Sequence, residues 1–262
     1  MRRIIDSSAV ERIYPSRKRQ AKRILGSAYT IMIYITGDTH GEFGRFRRFC
    51  QIADPATTDI MIILGDAGFN YAGNIYDEER KAYMNSTGMT VFSIHGNHEM
   101  RPTDVPGYKT KQFNGGTVWY EDKYPNLLFA KDGEIYRFGE YDCIVIGGAY
   151  SVDKYWRLRD GRKWFANEQP SDEIKAYVEA QLEARDNKVD IVLSHTCPLK
   201  YEPREVFLSG LDQSTVDSST EEWLDTIEEK LDYKKWYCGH FHTSKKIDRF
   251  QFMYEDIDTL HV

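Results

Sequence analysis

The sequence predicts an α/β fold with a parallel sheet and a second sheet packed on it, and three observations carry that prediction. Apolar, largely β-branched runs at 29–36, 59–64 and 90–94 each end in a short polar segment. Stretches of helical periodicity connect these runs, and crossovers of that length join parallel strands in βαβ units. From Leu127 onward, short β segments separated by turn residues take over, as expected of a second sheet of a sandwich.

In chain order, Tyr29 to Thr36 alternates Ile, Met and Tyr without charge and delivers Asp38 and His40 to the strand end. Phe43 to Ala53 sets Phe43, Phe46, Phe49 and Cys50 at helical spacing against Arg45, Arg47 and Arg48, an amphipathic crossover helix. Asp59 to Leu64 is a second buried strand, ending at Asp66. Asn74 to Thr87 reads as a helix stopped by Gly88, and Thr90 to Ile94 is a strand ending at Asn97 and His98. Pro102, Pro106, Gly107, Gly115 and Gly116 then break a long loop before Thr117 to Glu121. Leu127 to Ala130, Glu134 to Phe138 and Tyr141 to Ile146 are expected in the second sheet. Ser151 to Pro170 mixes Tyr155, Trp156, Arg157, Arg159, Arg162 and Trp164 with no clean period, a loop or short helix over the strand ends. Ser171 caps a helix running to Arg185, with Asp172 and Glu173 favouring the positive end of its dipole. Val189 to Leu193 delivers His195. A second long loop precedes a helix over 220–231, Lys235 to Cys238 leads to His240 and His242, and Ile247 to Tyr254 closes the sheet.

A chain of 262 residues with 41% hydrophobic content supports one large core, read as a basic extension over 1–28 followed by one domain over 29–262. The formal charge of −6 argues against nucleic acid or anionic membrane as partner. Residues 1–28 depart from that balance, with eight Lys or Arg against Asp6 and Glu11, a net of +6 that leaves −12 for the remainder. That segment lacks the apolar stretch of a secretory signal; an accessory helix and an upstream start are both open for it. No run approaches the roughly 18 apolar residues of a membrane span. Four cysteines without paired spacing suit a reducing cytosol, and Cys197 and Cys238 read as small buried hydrophobes.

Five polar segments stand at the strand ends: GDTHG at 37–41, GDAGFN at 65–70, GNHE at 96–99, SH at 194–195 and GHFH at 239–242. Asp, Asn and His in this order, where an α/β sheet exposes its chemistry, suggest a metal site. Of seven histidines, His40, His98, His195, His240 and His242 occupy these segments. His95 lies just inside a strand end, where packing or support suits it better than ligation, and only His261 stands elsewhere.

The set resembles the signature of the calcineurin-like metallophosphoesterase superfamily: D-x-H, G-D, G-N-H-[DE], H and G-H-x-H. The resemblance covers roughly Ile31 to Phe252 and implies a four-layer α/β/β/α sandwich of two mixed sheets flanked by helices. It implies an enzyme that hydrolyses phosphomonoesters or phosphodiesters, in which a metal-bound hydroxide attacks phosphorus directly. Two ions about 3.5–4 Å apart need a bridging carboxylate, and the resemblance makes Asp66 that bridge. Asp38, His40 and His242 would complete one metal site, and Asn97, His195 and His240 the other. Imidazole, carboxylate and amide donors suit divalent transition metals, Mn foremost and Fe, Zn, Co or Ni besides. His98 would be the general acid at the leaving oxygen; Glu99 would orient a ligand or sit on a solvated loop.

One departure stands out. Protein phosphatases of this superfamily carry an acid three positions after the bridging Asp, which orients that histidine, and Arg-Gly after it. Here Phe69 and Asn70 occupy these places, which weakens phosphoprotein as substrate. Asn70 and Arg101 are candidate substrate contacts, with Arg157, Arg159 and Arg162 as further arginines over the site. Tyr155, Trp156 and Trp164 stack a nucleobase or pack their own loop. The expected partner is a small phosphate ester or nucleotide; a protein partner is left open. A metal-binding scaffold without catalysis is the alternative, and the full ligand set favours the enzyme.

Overall fold

The computed structural model describes residues 31–262 apart from 208, 209 and 211, so the basic extension expected over 1–28 lies outside the described residues. Strands β1 (Ile33–Thr36), β2 (Ile60–Ile63) and β3 (Thr90–Ser93) pair in parallel, with Ile33 opposite Ile60 and Ile60 opposite Thr90. The crossovers contain α1 (Gly44–Ala53) and α2 (Ile75–Asn85). Asn74 caps α2 by accepting from Tyr76 N at 3.0 Å, and Asp77 and Glu78 occupy its first turn.

Among the described residues the first sheet has seven strands. Beyond β3 it continues through β6 (Tyr124–Ala130), β5 (Gly116–Glu121) and β4 (Lys109–Phe113), and on the other side of β1 it ends in β13 (Ile257–Thr259). The second sheet, among the described residues, has six strands: β7 (Ile135–Phe138), β8 (Tyr141–Ile146), β9 (Ile191–Ser194), β10 (Lys235–Cys238), β12 (Phe250–Phe252) and β11 (Lys245–Ile247). Each sheet is parallel at its centre and antiparallel at its edges, the mixed character that was expected.

Two expectations need correction. The segment at 127–130 belongs to the first sheet, where β6 runs parallel to β3 with Val91 opposite Leu127. The loop before Gly116 contains β4, an edge strand of sequence KTKQF with no buried residue, whose polar side chains suit an uncovered edge.

Alternation along the central strands separates three apolar layers. Ile60, Ile62 and Leu64 face the gap between the sheets with Phe92, Ile94, Tyr136, Val145, Ile191 and Leu193. Met61 and Ile63 point the other way, toward Phe46 and Phe49 of α1 and Met84 of α2. On the far side Val192, Trp236 and Phe250 meet Val178 and Leu182 of α4 (Asp172–Glu183) and Leu224 and Ile227 of α5 (Ser219–Glu228). The result is the four-layer α/β/β/α sandwich, with β1, β2, β3, β9 and β10 all ending on one side. Among the described residues no helix is long and apolar enough to cross a membrane.

Candidate metal centre

The segments after these five strands converge. Asp38 and His40 follow β1, Asp66 follows β2, Asn97 and His98 follow β3, His195 follows β9, and His240 and His242 follow β10. Both sheets therefore contribute. His40, Asp66, His240 and His242 have left-handed backbone, with φ of 48°, 49°, 65° and 47°. L-residues adopt this region at a cost on the order of 1–3 kcal/mol each, so four together at one site mark strain retained for placement.

The polar atoms form two groups joined by Asp66. In the first, His40 Nε2 lies 3.0 Å from His242 Nε2, and Asp38 Oδ2 lies 3.3 Å from His242 Nε2 and 3.8 Å from His40 Nε2. In the second, Asn97 Oδ1 lies 2.8 Å from His195 Nε2 and 3.1 Å from His240 Nδ1. Asp66 Oδ2 stands between the groups, 3.9 Å from His40 Nε2 and 3.7 Å from His195 Nε2.

This arrangement fits cations. His195 Nδ1 lies 2.7 Å from the carbonyl of Leu64, which can only accept, so that nitrogen carries the proton and Nε2 of the neutral ring presents a lone pair. That lone pair faces the lone pair of Asn97 Oδ1. The Asn97 amide is oriented by its other end, because Nδ2 donates to Ser151 Oγ at 2.8 Å, and Ser151 Oγ donates to the buried Glu168 at 2.6 Å. Asp38 Oδ2 is buried and, among the described residues, has no hydrogen-bond partner. Acceptors turned on one another at 3.0–3.3 Å have the spacing of neighbouring ligands about 2.0–2.1 Å from one ion.

Protonation supports the same reading. Burial, reinforced by the nearby His195, pushes His240 down to about 3, which keeps its ring neutral with a lone pair free to accept. Burial also lowers His40, against the pull of Asp66 and Asp38. Burial raises the Asp38 carboxyl, but the imidazoles of His242, His195 and His40 outweigh it and hold the group well below the carboxylate range. Glu99 is fully buried, accepts from Gly96 N at 3.0 Å, and is pushed up to about 8 by burial and then by the Asp66 charge.

Two motif glycines are seats for these acids. A Cβ at Gly96 would lie 2.1 Å from Asp66 Oδ1, and one at Gly239 would lie 2.3 Å from Asp38 Oδ1. Those same oxygens accept from backbone amides, Asp66 Oδ1 from His98 N at 2.7 Å and Asp38 Oδ1 from His240 N at 3.0 Å. Each carboxylate is thus pinned by one oxygen and leaves Oδ2 toward the imidazoles.

A family model described as calcineurin-like phosphoesterase matches residues 31–244. The chain belongs to the calcineurin-like phosphoesterase family. A search of curated proteins finds no match. Among solved structures, TT1561 of Thermus thermophilus is 12% identical with a TM-score of 0.48, the match covering 88% of this chain and 98% of that one. A second is 14% identical with a TM-score of 0.44, covering 84% and 88%.

In this metal-dependent phosphoesterase the other expected residues have distinct surroundings. His98 Nδ1 lies 3.7 Å from Asp66 Oδ2, and Arg157 Nη2 lies 2.8 and 2.9 Å from the two ring nitrogens. Arg157 comes from α3 (Lys154–Arg159), within the segment expected over the site. Asn70 is buried, its Oδ1 accepting from Tyr108 Oη at 3.1 Å. Arg101 donates to Asp132 Oδ2 at 2.7 Å and to the carbonyls of Asn167 and Gln169 at 3.0 and 3.4 Å. Its guanidinium is committed to holding the 167–169 segment, and the arginine that meets His98 is Arg157. His95 is buried outside the ligand groups, and Cys197 and Cys238 are buried thiols raised well above their ordinary value by burial.

Several supports had no signal in the sequence. Ser151 and Glu168 orient Asn97. Arg45 Nη2 donates to the carbonyls of Gly37 and Asp38 at 2.9 and 2.6 Å. Asp153 lies 3.6 Å from His98 Nε2.

Proposed function

We propose that this phosphoesterase hydrolyses a small phosphate ester or nucleotide, monoester or diester, with two divalent transition-metal ions, Mn first and Fe, Zn, Co or Ni as alternatives, in a reducing cytosol. The observation that carries the reading is Asp66 Oδ2, 3.9 Å from His40 Nε2 and 3.7 Å from His195 Nε2, a single carboxylate oxygen within reach of both groups. Asp38, His40 and His242 would hold one ion, Asn97, His195 and His240 the other, and Asp66 both. The ions would lower the pKa of a water and neutralise phosphoryl oxygens.

The chain's own residues supply the rest. His98 also stands within ligand reach of His40 and Asp66. We assign it instead to the leaving oxygen, because Arg157 Nη2 stands 2.8 Å from Nδ1, the nitrogen that faces Asp66 and that a metal ion would need. Arg157 is then the donor that meets the phosphoryl oxygens, since its planar fork matches them. Beside Asp38 and His40 a cleft of about 680 Å³, bordered by Arg45, Arg48, Phe49 and Tyr254, has the dimensions of a small-molecule site.

The test is hydrolysis of para-nitrophenyl phosphate and bis-para-nitrophenyl phosphate by protein stripped of metal and reloaded with Mn²⁺, with metal stoichiometry measured in parallel. Faster monoester turnover assigns a phosphatase, and faster diester turnover a phosphodiesterase. Asp66→Asn should lose metal and activity together, whereas His98→Ala should keep two ions and lose turnover. Two bound ions without turnover of either ester would favour the scaffold, and equal metal loss in both variants would make His98 a ligand.

A further inference from the structure

The groups facing His98 from above come from a segment that holds no ligand of either metal group. Arg157 Nε donates to Asp153 Oδ2 at 2.7 Å, one turn apart in the chain, and Arg157 Nη1 donates to the carbonyl of Lys163 at 3.2 Å. The segment is tied to the loop after β2: Lys163 Nζ donates to the carbonyl of Ala72 at 2.8 Å, and Phe165 meets Tyr71 edge-on at 6.1 Å. Asp153 Oδ2 is therefore occupied by Arg157. Asp153 Oδ1 is buried, has no hydrogen-bond partner among the described residues, and lies 3.6 Å from His98 Nε2.

We propose that Asp153 is the positioning residue of His98, accepting a hydrogen bond from Nε2–H so that Nδ1 stays turned toward Asp66 and the phosphoryl group. A distance of 3.6 Å is too long for a hydrogen bond. A buried carboxylate oxygen without a donor is nevertheless costly, so closing that gap is favourable. In the neutral ring, an acceptor at Nε2 and the Arg157 Nη2 donor 2.8 Å from Nδ1 together favour the Nε2–H tautomer and fix the ring's orientation. Phe69, three positions after Asp66, brings no carboxylate to His98, and the acid that faces the ring comes from residue 153.

The inference rests on His98 serving the leaving oxygen. In turnover the ring enters with a proton on each nitrogen; as the P–O bond breaks, its electron pair stays on the leaving oxygen, which takes the proton from His98 Nδ1. The ring is left neutral with its remaining N–H on Asp153, which gains no proton.

The test compares the parent chain with Asp153→Ala, Asp153→Asn and Arg157→Met. Nitrogen-15 spectra of the metal-free protein should show His98 in the Nε2–H tautomer in the parent, and a mixture in Asp153→Ala. In Mn²⁺-loaded protein, kcat for a series of aryl phosphates should fall a few-fold for acidic phenols and roughly 100-fold for basic ones in Asp153→Ala. KM should stay within about threefold there, and Asp153→Asn, which keeps an acceptor oxygen, should recover part of the loss. Arg157→Met should raise KM without steepening the dependence on the leaving group, which separates direct support of His98 from mere anchoring of Arg157. A uniform loss across the series, or an unchanged tautomer in Asp153→Ala, overturns the proposal. A parent that hydrolyses no ester refutes the proposed function instead, and the tautomer still decides the Asp153 contact.

Discussion

Replacing Gly96 by alanine should empty the metal centre without altering a ligand. The added Cβ would stand 2.1 Å from Asp66 Oδ1, 2.2 Å from Asp66 N and 2.7 Å from Asp66 Cγ. Ordinary contact begins near 3.5 Å, so the carboxylate must retreat by about 1.4 Å. Coordination tolerates about 0.2 Å. The retreat also breaks the 2.7 Å hydrogen bond from His98 N and carries Oδ2 away from His40 and His195. Even changes to residues behind a ligand weaken metal binding by about 10- to 100-fold. Displacing the carboxylate within reach of both groups should therefore exceed 100-fold, or about 2.8 kcal/mol. The assay is competitive metal titration with stoichiometry, alongside far-ultraviolet circular dichroism to verify the fold. Gly44→Ala, whose Cβ meets nothing within 4 Å, serves as the control and should bind like the parent. Two ions held by Gly96→Ala with affinity within threefold of the parent would refute the reasoning.

Other outcomes follow from the same geometry. Glu99, pushed up to about 8 by burial and the Asp66 charge, titrates near 4.3 when unfolded. The folded chain thus keeps a proton that the unfolded chain loses, and this contribution is full below about pH 4.3 and disappears as pH rises through about 8. In metal-free protein, Glu99→Gln should flatten the decline in denaturant stability between pH 5 and 8 by up to ~1.4 kcal/mol per pH unit; parallel curves for parent and variant would contradict the shift. Chelation should lower the melting temperature, since ion at 100 times its dissociation constant contributes about 2.7 kcal/mol, or roughly 5–10 °C for a chain of this size. Calorimetry with and without chelator measures it. Buried Lys81 on α2 lies 2.6 Å from Glu121 Oε2 on β5, and Lys81→Met should cost about 3 kcal/mol in urea unfolding by stranding that acid. Lys81→Met with Glu121→Leu should recover most of it.

How much of this was legible in the sequence depended on how local each feature is. The convergent polar segments were legible because each follows a run such as Ile60 to Leu64, whose apolar character marks a buried strand and whose end marks an exposed loop. The strand β4 was not, because an edge strand with polar faces lacks the alternation that burial imposes. The sheet to which Leu127 to Ala130 belongs was equally hidden, since alternation reports that a strand is buried and not which neighbour it takes. Arg101 drew attention by adjacency to GNHE, yet the fold turns it toward Asp132 and brings Arg157 to His98 across 59 positions. Asp153 reaches the same ring through tertiary packing alone, and a single acid in an aperiodic segment has no signature. The left-handed backbone of His40, Asp66, His240 and His242 was also invisible, because no local residue pattern marks it.

The division of the centre between two sheets has a consequence for how the molecule is completed. Residues 33–130 build all of the first sheet except β13, while 135–252 build the second, and the turn over 131–134 is the hinge in the sequence between them. The first portion holds Asp38, His40, Asp66 and Asn97; the second holds His195, His240 and His242. On the proposed assignment, severed fragments would each possess an incomplete ligand set, and only their reassociation could restore it. Metal capture would thus report sheet docking, and β13, returning to pair with β1 after His242, is the clasp that closes behind it.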